Sequence, residues 1–270
     1  MAGVFMSLKL ILLSDIHLGY ENSDKTSFNR FLDSLHQDSE GITDLVLIGD
    51  IVDMWRRDSS GVFLENWKFL EKITALQKKM RVHYVAGNHD FHVLKLQNHS
   101  YPFNFVRNLS LTDGDYNYKI VHGYEFDPAQ DELLMEALCR VMSDEVGNFE
   151  SGVWATLTRD WSDLKYFLST LLRKKQSIRT AAEKIQINPE VRLKETVQGI
   201  EKRACSSVQP GEILIFGHTH RPFINKTGNV ANCGSWVTDS PVHNTYVELS
   251  GGKPRLFVFE GEEIKERTEC

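Results

Sequence analysis

Short apolar runs alternate with segments of helical periodicity through the first half of this chain, and each run ends in a polar cluster. Leu8–Leu13 leads into Ser-Asp-Ile-His, Asp44–Ile48 into Gly-Asp, and Arg81–Ala86 into Gly-Asn-His-Asp. Tyr118–Val121 leads into His-Gly, and Glu212–Phe216 into Gly-His-Thr-His. Near-continuous Val/Ile/Leu runs of this length predict strands buried on both faces. Between the first three runs, Phe28, Phe31, Leu32 and Leu35 share one helical face, and Phe63, Trp67, Leu70 and Ile73 another. Strand, helix, strand with polar residues at the strand ends predicts an α/β fold, in which sites gather beyond the carboxyl ends of the strands.

After His122 the pattern changes. Residues 128–206 show helical periodicity, with Trp154, Leu157, Trp161, Leu164, Leu168 and Leu171 forming an apolar stripe. They are expected to form a helical cap inserted between two parts of a core, 1–127 and 207–270. Packing between the cap's own helices explains such a stripe more simply than a ligand groove does. From Val230 onward short strands return, at 244–249 and 255–260 around Ser-Gly-Gly-Lys-Pro, as a meander expected to add a second sheet.

Composition narrows the class. A chain of 270 residues with 41% hydrophobic and 25% charged residues can bury one large core. The net charge of −6 argues against a stable nucleic-acid complex, yet nine Lys/Arg and only four Glu lie between Arg173 and Arg203. That run reads as a solvated helical face, or as a surface for an anionic substrate or peripheral membrane contact. The four cysteines contain no C-x-x-C pair, and no signal-peptide or membrane-spanning pattern precedes Leu13, so a cytoplasmic location is expected. Oligomeric state is not readable from these features.

Each polar cluster alone is unremarkable. Asp50 and Asp53 would serve as helix caps, Asn88, His89 and Asp90 as a turn, and His122 as a satisfied core histidine. Together, five strand ends deliver Asp15, His17, Asp50, Asn88, His122, His218 and His220, all nitrogen or oxygen donors. Such a set suits Mn²⁺ first, with Fe or Zn²⁺ as alternatives, and not a thiolate zinc site. Seven donors exceed what one ion takes while leaving room for substrate. Two divalent ions sharing a carboxylate accommodate them, and such a pair suits displacement at phosphorus.

In order along the chain, D-x-H, G-D-x-x-D, G-N-H-D, a lone His and G-H-T-H resemble the calcineurin-like metallophosphoesterase superfamily. The resemblance implies a four-layer α/β/β/α sandwich with a helical cap insertion, and hydrolysis by in-line attack of a metal-activated hydroxide. It further implies that Asp15, His17 and His220 bind one ion, that Asn88, His122 and His218 bind the other, and that Asp50 bridges them. His89 would be the catalytic general acid and phosphate stabiliser, oriented by Asp90, with Asp53 holding a ligand histidine from behind. Within the superfamily, Gly49-Asp-Ile-Val-Asp-Met-Trp55, Gly87-Asn-His-Asp-Phe91 and Gly217-His-Thr-His-Arg-Pro222 resemble the UDP-2,3-diacylglucosamine diphosphatase branch. That branch carries arginine where His89 stands, so the implied substrate is either a phosphorylated small molecule or a nucleotide-linked lipid. A scaffold that keeps the fold only for protein binding would be expected to lose ligands, and none is missing.

Overall fold

The computed structural model describes residues 8–97, 103–127, 189–260 and 263–266. The strands are β1 (Lys9–Leu13), β2 (Asp44–Ile48), β3 (Arg81–Val85), β4 (Asn104–Val106), β5 (Leu109–Asp113), β6 (Tyr116–Ile120), β7 (Glu212–Phe216), β8 (Phe223–Ile224), β9 (Val230–Asn232), β10 (Thr245–Ser250), β11 (Lys253–Glu260) and β12 (Glu263–Glu266). The helices are α1 (Lys25–Gln37), α2 (Ser59–Leu76) and α3 (Pro189–Ser207).

Two sheets form, ordered β12-β11-β10-β1-β2-β3-β4 and β5-β6-β7-β9-β8. In the first, β1 to β4 run parallel, and in the second β6, β7 and β9 do. The two-residue period of a strand sorts their side chains into layers. Leu10, Leu12, Val46, Ile48 and Val85 point inward to meet Tyr118, Ile120, Ile213 and Ile215 of the other sheet. Their neighbours Ile11, Leu13, Leu45, Leu47, Val82 and Tyr84 face α1 and α2 instead. On the far side, Leu214, Phe216 and Val230 pack against Ile200 and Ala204 of α3. The result is the expected α/β/β/α sandwich, and each fully buried Leu or Ile contributes roughly 1.5–3 kcal/mol. A slip of one residue on β1 or β7 would exchange the layers, so burial on both faces fixes the register.

Helix α1 follows its periodicity. Asp24 caps it by accepting from the Ser27 N–H at 3.0 Å, and Phe28, Phe31, Leu32 and Leu35 are its buried residues. In α2, capped by Asp58, the buried residues are Val62, Asn66, Ile73 and Leu76. The expected face is therefore turned by one residue over the first turns, and Trp67 is 52% exposed. The buried Asn66 side chain donates through its Nδ2 to the Val62 carbonyl at 2.7 Å, which pairs its amide nitrogen on the inner face.

The C-terminal meander departs from expectation. Instead of founding a second sheet, β10 pairs antiparallel with β1 and extends the first. The second sheet is built from β6 and β7 together with the short strands β5, β8 and β9. Of the stretch expected as a cap, residues 128–188, with the Trp154–Leu171 stripe, lie outside the described residues. The C-terminal half of α3 is an outer layer of the core. No helix among the described residues is long and apolar enough to cross a membrane.

Candidate metal centre

The carboxyl ends of the parallel strands in both sheets open on the same edge of the sandwich. Loop-to-loop backbone bonds tie them together: Asp15 N to Gly49 O at 3.1 Å, His17 N to Asp50 O at 2.8 Å, and Gly217 N to His122 O at 2.8 Å. Asp15, His17, Asp50, His218 and His220 all have φ between 52° and 67°, in the left-handed region. For non-glycine residues this conformation costs about 1–2 kcal/mol each, and it persists where the surroundings over-determine it. It turns successive side chains into one cavity instead of onto alternate faces. Glycine is required where the loops touch: a Cβ on Gly87 would lie 2.1 Å from Asp50 Oδ1, and one on Gly217 2.5 Å from Asp15 Oδ2.

Three overlapping groups of donors result: Asp15, His17 and His220; His17, Asp50 and His89; and Asp15, Asp50 and His122. Within each, the ligand atoms lie within 4.8 Å of one another. His220 Nε2 is 3.2 Å from Asp15 Oδ1, and His122 Nε2 is 3.3 Å from Asp50 Oδ2. His17 Nε2 stands 3.7 Å from both Asp15 Oδ1 and Asp50 Oδ2, and 3.2 Å from His220 Nε2. The His218 ring lies edge-on to His122 at 5.2 Å, and its backbone N–H donates to Asp15 Oδ2 at 2.9 Å.

Behind this cluster, Asp53 does more than expected. One oxygen accepts from His17 Nδ1 at 3.0 Å and from the Arg56 guanidinium. The other accepts from His89 Nδ1 at 2.9 Å and from the backbone N–H groups of Trp55 and Arg56. The expected partner of His89, Asp90, is engaged elsewhere. Its carboxylate accepts from Gly87 N at 2.7 Å, Ile51 N at 2.8 Å and Tyr84 Oη at 2.6 Å. The orienting contact to His89 is therefore corrected to Asp53, and Asp90 shapes the loop that presents Asn88. His89 is further held by stacking on Trp55, 4.2 Å between centroids, and by an edge-on contact with His17 at 4.8 Å.

The electrostatics are those of carboxylates awaiting cations. Burial by itself would disfavour charge on Asp15 and Asp50, but His220 beside Asp15 and His122 beside Asp50 hold both well below the usual carboxylate range. Burial likewise opposes charge on His17 and His122, yet hydrogen bonds that His17 donates to Asp15 and Asp53, and the charge of Asp50 beside His122, push both up to about 10. His89 differs: burial outweighs the nearby carboxylates and lowers it. Asp90 is raised to about 6 by burial and by the negative charge of Asp50.

The donor set fits metal ions on the structure's own terms. Asp15 Oδ1, Asn88 Oδ1 and His122 Nε2 are buried without a hydrogen-bond partner, and all three belong to residues around Asp50. Unpaired buried oxygen and nitrogen lone pairs are costly, and an ion satisfies them together. The ring nitrogens of His17 and His220 point at each other across 3.2 Å, which suits two ligands of one ion. Sequence reasoning gave Trp55 only as the end of a family motif and missed Arg56 as part of the site. The signal for both is their place two and three residues after Asp53.

A family model for calcineurin-like phosphoesterases matches residues 8–176. Two curated relatives share the length of the chain. UDP-2,3-diacylglucosamine hydrolase of Shewanella baltica (strain OS195) is 22% identical over 259 residues, covering 89% of this chain and 95% of that protein. The protein of the same name from Shewanella sp. (strain MR-7) is 24% identical over 249 residues, covering 87% and 92%. Among solved structures, Yfce, a phosphoesterase from E. coli, matches with a TM-score of 0.50 at 16% identity, covering 96% of this chain and 98% of that one. It shares the fold.

Proposed function

Because this chain belongs to the calcineurin-like phosphoesterase family and is a phosphoesterase, we infer that its centre cleaves a phosphate ester or diphosphate bond with two divalent ions shared across Asp50. The supporting observation is the trio of buried, unpartnered donors on Asp15, Asn88 and His122 gathered about that carboxylate. Asp15, His17 and His220 would hold one ion, and Asn88, His122 and His218 the other. Mn²⁺ is the first expectation, with Fe or Zn²⁺ accepted by the same donors. When bound, such a pair lowers the pKa of water and neutralises charge building on the phosphoryl oxygens.

The chain's own residues do the rest. Asp53 fixes the His89 Nδ1 position at 2.9 Å, leaving Nε2 as the atom that exchanges a proton. Trp55 beneath the ring prevents it from tilting. A substrate phosphoryl group brings negative charge beside the imidazole and favours its protonated form, ready to deliver a proton to the departing oxygen. Asp90 keeps the Asn88–His89 turn in shape through three donors and takes no part in the transfer.

A second reading is a diphosphohydrolase acting on a nucleotide-linked lipid. It is favoured by relatives of that substrate type aligning over nearly their whole length. Against direct transfer stands His89 itself, since a histidine offers proton transfer where an arginine offers a permanent clamp.

Metal analysis of the purified protein, followed by a Mn²⁺-supplemented screen of phosphomonoesters, phosphodiesters and nucleoside diphosphate esters, tests both readings. Two equivalents of metal and chelator-sensitive turnover are expected. Full metal loading with no turnover in any class would overturn the first. Detergent-dispersed nucleotide-lipid cleaved no faster than p-nitrophenyl phosphate would overturn the second.

A further inference from the structure

Asp53 carries one partner that the chemistry above does not use. The Arg56 guanidinium donates through Nη1 to Asp53 Oδ2, the oxygen that also receives His17 Nδ1. Its carbon lies 4.3 Å over the centre of the Tyr20 ring. Tyr20 is itself pinned, its hydroxyl donating to Asp239 at 2.8 Å and receiving Asn22 at 2.9 Å. One edge and one face of the guanidinium are thus fixed. Nε and Nη2 make no hydrogen bond among the described residues. The side chain keeps 30% of its surface exposed, whereas Asp53 behind it has none.

A charged fork, immobilised from behind and open in front, is the arrangement that recognises a phosphoryl group by paired hydrogen bonds. Its position says which one. The metal-binding donors converge on Asp15 and Asp50, which His17 faces through Nε2, while Arg56 shares Asp53 Oδ2 with the opposite ring nitrogen, His17 Nδ1. An anion held by Arg56 is therefore set apart from the phosphorus at the ions by roughly the breadth of the His17 ring. That suits a second phosphoryl group linked to the first. The guanidinium also stands on the same carboxylate as His89.

Resting on the phosphoesterase reading above, we propose that Arg56 binds the phosphoryl group adjoining the scissile one, making this centre selective for diphosphate-linked substrates over simple monoesters. The alternative is that Arg56 only neutralises Asp53.

Equilibrium binding of methylenediphosphonate and methylphosphonate to the Mn²⁺-loaded protein, at fixed free Mn²⁺, separates these. The wild-type protein is expected to prefer the diphosphonate. In Arg56→Met that preference should fall by about 10- to 100-fold, the loss of a charge-assisted pair. Arg56→Lys, which keeps the charge beside Asp53 but not the fork, should lose most of the same preference. Equal loss for both phosphonates, full rescue by lysine, or an unchanged preference in the methionine variant would overturn the proposal. If the preference collapses as expected while no ester is hydrolysed by wild type, the catalytic reading fails and the anion site stands.

Discussion

The two ends of the first sheet use the same kinds of residue in opposite ways. At the amino-terminal end, Asp44 on β2 is fully buried and fully paired. It accepts from Arg81 Nε at 2.7 Å, Arg81 Nη2 at 2.8 Å and His83 Nε2 at 2.9 Å, while His83 Nδ1 meets Asn104 at 3.1 Å. At the carboxyl-terminal end, six residues further along the chain from Asp44, Asp50 sits among donors whose atoms lack hydrogen-bond partners. Aspartate and histidine on adjacent strands therefore do not mark a metal site by themselves. What separates the ends is satisfaction: one network closes within the protein, and the other is completed from outside it.

The comparison breaks most directly at Asp50. Asp50→Asn removes the shared charge and should abolish turnover, by at least ~10²-fold, while lowering occupancy of both ions together. Retention of one full equivalent in metal analysis would show that Asp50 serves a single ion. His89→Ala should come next, reducing kcat by about 10²- to 10⁴-fold as expected for a lost general acid, with metal content unchanged. Loss of both metals in that variant would make His89 a ligand and not an acid.

Asp44→Asn should be the mildest, leaving turnover and metal content alone and acting on stability. Burial alone would raise the Asp44 carboxyl, but hydrogen bonds from His83 and Arg81 lower it to about 2. A lowered carboxylate stabilises the fold fully above its unfolded value of about 3.9, and the contribution disappears as pH falls through the folded value. Because Arg81 is largely solvated, about 1–2 kcal/mol is expected. Denaturant unfolding between pH 4 and pH 2 should show a steeper slope in wild type than in the variant, in which the lowered carboxylates of Asp15, Asp50 and Asp53 still contribute. An identical slope in both would remove Asp44 from the account.

The metal end was legible in the sequence because strand ends, glycines and donor residues recur there in one order. The face of α1 was legible for a similar reason, since its phenylalanines and leucines agree with a single helical stripe. Sheet membership was not. A strand buried on both faces has the same composition whichever sheet it joins, so β6 and β7 could not be separated from β1 to β3, nor β10 assigned beside β1. In α2 a large apolar residue, Trp67, lies outside and Asn66 inside, inverting the usual inference. The resemblance implied Asp90 as the partner of His89. At this turn the neighbouring side chains diverge, and the carboxylate that His89 meets comes from a different loop. The left-handed backbone of five donor residues left only a faint trace in their identities, since Asp and His adopt it more often than most residues but only glycine adopts it freely.

Asp53 has a consequence beyond holding rings in place. His17, His89 and Arg56 all hydrogen-bond to that carboxylate, so a cation at one and an anion at another are not independent guests. Thermodynamic linkage makes their influence mutual: the factor by which metal tightens the anion is the factor by which the anion tightens the metal. Saturation curves for the two, measured each in the presence of the other, share a single interaction constant. Cation supply and substrate level would then set the active fraction of the enzyme jointly.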